Sequence, residues 1–180
     1  MKKKIVSIIS IILVLQTYSL FCIAADTVTF KNIPRADVCF SPRGGCTNAI
    51  VKELNAARSE ILVQAYSFTS VPIAKALLDA KKKGVNVQVI LDKSQKTQRY
   101  SSGTFFKNQG IPILIDAKHT IAHNKIIIID QQIVITGSFN FTKAAEEKNA
   151  ENLLIVRSKD MAGIYTKNWL QHKEHSETYE

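Results

Sequence analysis

The sequence predicts an α/β domain, a mixed sheet flanked by helices, and three observations carry that prediction. After Asp26, short runs rich in Val and Ile alternate with stretches whose apolar residues recur at helical spacing. Gly84 and Gly110 fall between these runs and mark their boundaries. At 180 residues and 46% apolar composition the chain can bury one core, which argues against disorder, while 22% charged residues with scattered prolines and glycines argue against a low-complexity chain, a coiled coil or a collagenous repeat.

The first 25 residues stand apart. Lys2, Lys3 and Lys4 precede the apolar run Ile5 to Leu15 and a weakly polar stretch to Ala25, the charge-then-apolar order of a signal peptide. Cleavage is expected near Ala24 or Ala25. An uncleaved anchor is the alternative, since Ile5 to Ala25 is about long enough to span a bilayer. Either way the domain, residues 26–180, is expected to be exported, as a secreted, periplasmic or membrane-anchored form. The formal charge of +9 includes those three lysines and no acid from the leader, so the exported part carries +6. That excess favours anionic partners.

The domain elements follow from local signals. Ala36 to Phe40 reads as a strand, and Thr47 as the cap of a helix Asn48 to Arg58 with Ile50, Leu54 and Ala57 on one face. Glu60 to Phe68 is the next strand. Ser70 caps a second helix with Pro72 in its first turn, and Lys81, Lys82 and Lys83 end it before Gly84, where the helix dipole favours cations. Val85 to Leu91 is a strand, followed by the polar segment Asp92 to Gly103, whose Lys93, Lys96, Arg99 and Tyr100 either border an anionic substrate or are simply solvated. A short helix around Phe105 to Asn108 and a strand Ile111 to Ile115 follow. His123 to Ile129 and Ile133 to Phe139 are strands joined at Asp130 to Gln132, and Leu153 to Val156 is another. Asp160 to Lys173 closes the domain as a helix, with Met161, Ile164, Tyr165 and Trp169 on its apolar stripe.

Export would remove Cys22 and leave Cys39 and Cys46 in an oxidising compartment. A local disulfide would contribute about 2.5 kcal/mol by loop closure. Two unpaired thiols are the alternative.

The chemistry is concentrated in His123, Lys125 and Asp130, followed by Gly137, Ser138 and Asn140. Side chains two apart on a strand share a face, about 6.6 Å apart along it, so His123 pairs with Lys125 and Ser138 with Asn140. A reversal near Gln131 sets position 123 opposite about 139 and 125 opposite about 137, which brings both polar pairs together. An imidazole, an ammonium, a hydroxyl and a carboxamide at one spot suit a phosphodiester: the lysine and asparagine donate to nonbridging oxygens while the histidine attacks phosphorus or moves a proton. Glu151 could orient that imidazole. No carboxylate cluster accompanies these residues to hold hard cations. His119 and His123 lie about 13 Å apart if on one strand, too far to share zinc.

The spacing H-x-K-x4-D, followed by G-S-x-N, resembles the phospholipase D superfamily, above all its small exported bacterial members with one motif per chain, known as phospholipase D or as metal-independent endonucleases. The resemblance extends from about Val38 to Trp169 and includes Ala65 to Thr69 and Gly137 to Ala145. It implies His123 as the nucleophile that forms a phosphohistidine, Lys125 and Asn140 as phosphate ligands, and Ser138 as a supporting hydroxyl. Asp130 would be the motif acid, grouped with the catalytic set but mainly structural, and Glu151 the acid that holds the histidine. Neither metal nor other cofactor is implied. Since family enzymes use two motifs and this chain has one, a twofold homodimer with the active site across its axis is implied. The expected activity is phospholipid headgroup hydrolysis of the phospholipase D type, with endonuclease action on DNA or RNA by the same chemistry as the alternative and a noncatalytic nucleic-acid or membrane binding module third.

Overall fold

The computed structural model describes residues 35–98 and 101–180; the expected leader, and Arg99 and Tyr100 of the polar segment, lie outside them. Among these residues eight strands form one mixed sheet: β1 (Arg35–Ser41), β2 (Glu60–Ala65), β3 (Asn86–Asp92), β4 (Ile113–Asp116), β5 (Lys125–Ile129), β6 (Ile133–Gly137), β7 (Glu151–Arg157) and β8 (Glu177–Thr178). Their order is β1-β7-β6-β5-β2-β3-β4-β8. β2, β3 and β4 run parallel, linked by helical crossovers, and the remaining pairs are antiparallel. Among the described residues five α-helices accompany them: α1 (Cys46–Ala56), α2 (Val71–Lys82), α3 (Gly103–Asn108), α4 (Lys143–Glu147) and α5 (Lys159–His175).

Alternation along β5 explains the two layers. Ile127 and Ile129 join the core formed with Ile50, Leu54, Ile73 and Leu77 of α1 and α2, whereas Ile126 and Ile128 turn to Ala162 and Trp169 of α5. Trp169 is 1% exposed and its indole N–H donates to the Val63 carbonyl at 2.9 Å, so it is a core residue with its polar atom satisfied. None of the described helices is long and apolar enough to cross a membrane.

The β5–β6 hairpin has the register expected from sequence, with Ile127 opposite Ile135 and Ile129 opposite Ile133. Asp130 and Gln131, both at φ 52°, form its tight turn. The structure corrects several other expectations. Thr47 is not a cap, since α1 begins one residue earlier, after Gly45. The Glu146 carboxylate instead accepts from the Gly45 and Thr47 N–H groups at 2.9 and 2.7 Å, placing a remote anion at the helix N-terminus. β2 stops at Ala65 because the chain then bends to bond Phe141. The short α4, capped by Thr142, and the two-residue β8 were not anticipated; neither is long enough to display a period. Cys39 and Cys46 are both free thiols, so the bridge that their spacing allowed is not formed in this structure. Burial, and then the neighbouring Cys39, push the Cys46 thiol up to about 12.

Candidate active site

The register places the ends of six strands at one edge of the sheet. Ala65 lies opposite Lys125 and beside Leu91, while Gly137 lies opposite Leu153 and Ser41 opposite Glu151. His123, Lys125, Ser138, Asn140 and Glu151 are therefore gathered at the edge where the parallel strands β2 and β3 end, the usual ligand edge of an α/β sheet.

Each side chain has an identifiable support. Exposed His123 packs its ring on Tyr66, with centroids 4.5 Å apart, and its loop is held by the Asp92 carboxylate, which accepts from the Ala122 and Ser94 N–H groups at 2.8 and 2.9 Å. Lys125 is 7% exposed. Its Nζ lies 5.1 Å from the Tyr66 ring centre and donates to the His123 carbonyl at 2.8 Å. Burial lowers the Lys125 pKa, and the nearby negative charge of Glu151 works against that shift. An ammonium has three N–H donors, and the hydrogen bond to His123 uses one; the others are available to an anion.

The Gly137 to Asn140 turn is fixed as tightly. Ser138 and Phe139 both donate their N–H to the Asn152 carbonyl, and Ser138 Oγ accepts from the Asn152 backbone N–H at 3.0 Å. Gly137 has φ 147°, and a Cβ there would lie 2.3 Å from the Asn152 carbonyl oxygen. Only glycine fits. Phe139 is buried and anchors the turn, while Asn140 keeps a buried side-chain oxygen without a protein partner. Beside the site, Tyr66, Ser67, Ser94, Gln95, Thr97 and Gln98 line a cleft.

Two expected residues stand differently. Asp130 lies at the far end of β5, about 17 Å from Lys125 along the strand, so its grouping with the catalytic residues is corrected. Its carboxylate accepts from the N–H groups of Arg58, Ser59 and Glu60 and from the Ser59 hydroxyl at 2.8–3.0 Å, closing the β5–β6 turn onto the start of β2. Glu151 accepts from Asn149 at 3.2 Å and makes no hydrogen bond to His123 within one chain. Sequence reasoning missed Tyr66, Asp92 and Asn152 as supports. Asp92, two residues before Ser94, carried a detectable Asx-turn signal; the other two depend on pairing between distant strands.

Residues 50–172 match the family described as cardiolipin synthase, PLD-like domain. The chain belongs to the phospholipase D-like family. It is 42% identical over 139 residues to a phospholipase D of Rickettsia felis, covering 77% of this chain and 70% of that protein. Human mitochondrial cardiolipin hydrolase is 26% identical over 142 residues, 78% of this chain and 56% of that protein. Among solved structures, the phospholipase D family member Nuc from Salmonella typhimurium superposes with a TM-score of 0.78 at 37% identity, over 81% of this chain and 97% of that one. In the phospholipase D-like fold the single H-x-K motif of this chain occupies the open edge of the sheet, with His123 exposed and Lys125 buried beneath it. The chain is a phosphodiesterase of the phospholipase D type.

Proposed function

We propose that this protein hydrolyses the headgroup phosphodiester of phospholipids through a phosphohistidine on His123. The observation that carries the reading is the buried Lys125 ammonium held 2.8 Å from the carbonyl of the exposed His123, a cation with donors to spare beside a free imidazole. An imidazole nitrogen attacks phosphorus as the bond to the leaving alcohol breaks; Lys125, Asn140 and Ser138 stabilise the phosphoryl oxygens. A water then attacks phosphorus, the P–N bond breaks, and phosphatidic acid is released as the histidine is restored.

The leaving oxygen needs a proton, and one chain offers no free histidine for it. His119 is already engaged with Asp116 at 3.0 Å. The second imidazole therefore comes from His123 of a second copy, in a homodimer with the cleft across its twofold axis. Val38 and Phe40 support this: they are 58% and 65% exposed on the edge strand β1, close to the site, and offer apolar surface for burial. Export by the N-terminal leader, as a secreted, periplasmic or anchored form, completes the reading.

Cleavage of nucleic acid by the same centre is the second reading, favoured by the +6 charge of the exported part. The complete His–Lys constellation counts against a noncatalytic binding module. The test offers the exported form both phosphatidylcholine vesicles and DNA in the presence of a chelator, at a temperature where circular dichroism shows an intact fold. Choline release without DNA cleavage supports the proposal; DNA cleavage alone selects the nuclease, and turnover of neither overturns both readings.

A further inference from the structure

Three of the four histidines of the chain take no part in the site described above, and they meet around one carboxylate. Asp116 ends β4 and is fully buried. His119 follows in the β4–β5 loop, and His172 and His175 project from one face of the last turn of α5, three residues apart. The His119 and His172 Nδ1 atoms lie 3.0 and 2.7 Å from Asp116 oxygens. The His175 Nε2 lies 3.3 Å from Asp116 Oδ1 but out of line for a hydrogen bond, and it is buried with no other partner. All four candidate ligand atoms lie within 4.8 Å of one another.

We propose that Asp116, His119, His172 and His175 form a structural zinc site. Zinc takes imidazole nitrogen and carboxylate oxygen at about 2.0–2.1 Å, and a tetrahedron of that size sets its ligands roughly 3.3 Å apart, inside the spread observed. Neutral imidazoles would direct their lone pairs at the ion, which gives the unpartnered His175 nitrogen a bond. The Asp116 carboxylate alone satisfies two of the three imidazoles and leaves the third, His175, without a hydrogen bond, although the three rings crowd together with centroids 5.0–5.4 Å apart. Four protein ligands fill the tetrahedron, so the ion has a structural role and no open position for substrate.

Its place in the fold gives it a function. Asp116 and Lys125 sit on strands three apart in the sheet, so the ion would lie roughly 14 Å to the side of the reacting centre. The ligands join two regions that are distant in sequence: the end of β4 with the loop that follows it, and the C-terminal helix. That loop also carries His123, four residues after His119. The site thus closes the C-terminal end of α5 onto the sheet and pins the origin of the loop that presents the nucleophile.

The test uses the exported form without a polyhistidine tag. After equilibration with zinc and exhaustive dialysis, metal analysis should find about one zinc per chain, and cobalt should give the strong visible absorption of a tetrahedral site. EDTA should lower the Tm and zinc should restore it. The double substitution His172→Ala, His175→Ala should abolish both the bound zinc and the response of Tm to zinc, whereas His123→Ala should keep both. If the double variant does not fold, the wild-type stoichiometry and cobalt spectrum decide the question. Less than a tenth of an equivalent of zinc in folded wild type, or equal zinc in the folded double variant, overturns the proposal. None of these readouts depends on turnover, so the proposed activity can fail while the metal site stands, and the reverse.

Discussion

Replacing Asp130 by Asn should cost stability and spare catalysis, although Asp130 belongs to the sequence motif that marks the active site. Asn tolerates the left-handed backbone of this turn, where φ is 52°, so the change isolates the carboxylate. One oxygen accepts from the Ser59 N–H, the Ser59 hydroxyl and the Glu60 N–H; the other accepts from the Arg58 N–H. An amide NH2 facing Arg58 would lose one bond and set two donors against each other, and the three remaining bonds would lose their charge assistance. At about 0.5–1 kcal/mol each for donors near the surface, the loss is roughly 2–3 kcal/mol. Burial raises the Asp130 pKa, but the N–H groups of Glu60 and Ser59, the Ser59 hydroxyl and the Arg58 N–H outweigh it and hold the carboxyl below its ordinary range. Because the folded pKa lies below the unfolded one, this stabilisation is complete above about pH 4 and fades as the pH falls through the folded value. Urea unfolding at pH 7 should therefore show the full gap between wild type and Asp130→Asn, and the gap should shrink at pH 3. Turnover per folded molecule should stay within a few-fold of wild type, since the residue is about 17 Å from Lys125. Unchanged stability with a hundredfold loss of turnover would refute the structural assignment.

Gly137→Ala should cost about 1–3 kcal/mol, read by thermal unfolding, and should lower kcat as well, because the added Cβ would lie 2.3 Å from the Asn152 carbonyl and displace Ser138 and Asn140. Turnover should survive EDTA at a temperature where circular dichroism shows the fold intact, since among the described residues no carboxylate cluster adjoins His123 and Lys125; loss restored by magnesium or calcium under those conditions contradicts metal-free chemistry. Mixing wild type with excess His123→Ala subunits, after mass-tagged subunits have shown exchange, should depress activity beyond dilution. Activity that merely dilutes would place the proton donor within one chain.

The legible parts of the sequence were those with a local period or a local reason. The continuous apolar run Ile126 to Ile129 and the turn at Asp130 and Gln131 gave the hairpin and its register, and from that register came the meeting of Lys125 with the Ser138 turn. What remained hidden depends on contacts between distant segments. Glu146 reaches α1 across 99 positions, and β8 exists only because β4 offers a free edge. Along the sequence the nearest histidine to His119 is His123, too far along one strand to share zinc; its companions in space are Asp116 and, more than fifty residues on, His172 and His175. Pair spacing within one strand could not reveal a cluster built between a strand end and a remote helix.

The covalent step on His123 is the centre of the functional account, and trapping it tests that step most directly. Enzyme quenched during turnover of phosphatidylcholine should carry an acid-labile phosphatidyl adduct that peptide mass spectrometry maps to His123, and His123→Ala, still folded by circular dichroism, should carry none and turn over nothing. An adduct on another residue, or near-normal turnover by His123→Ala, would contradict the account.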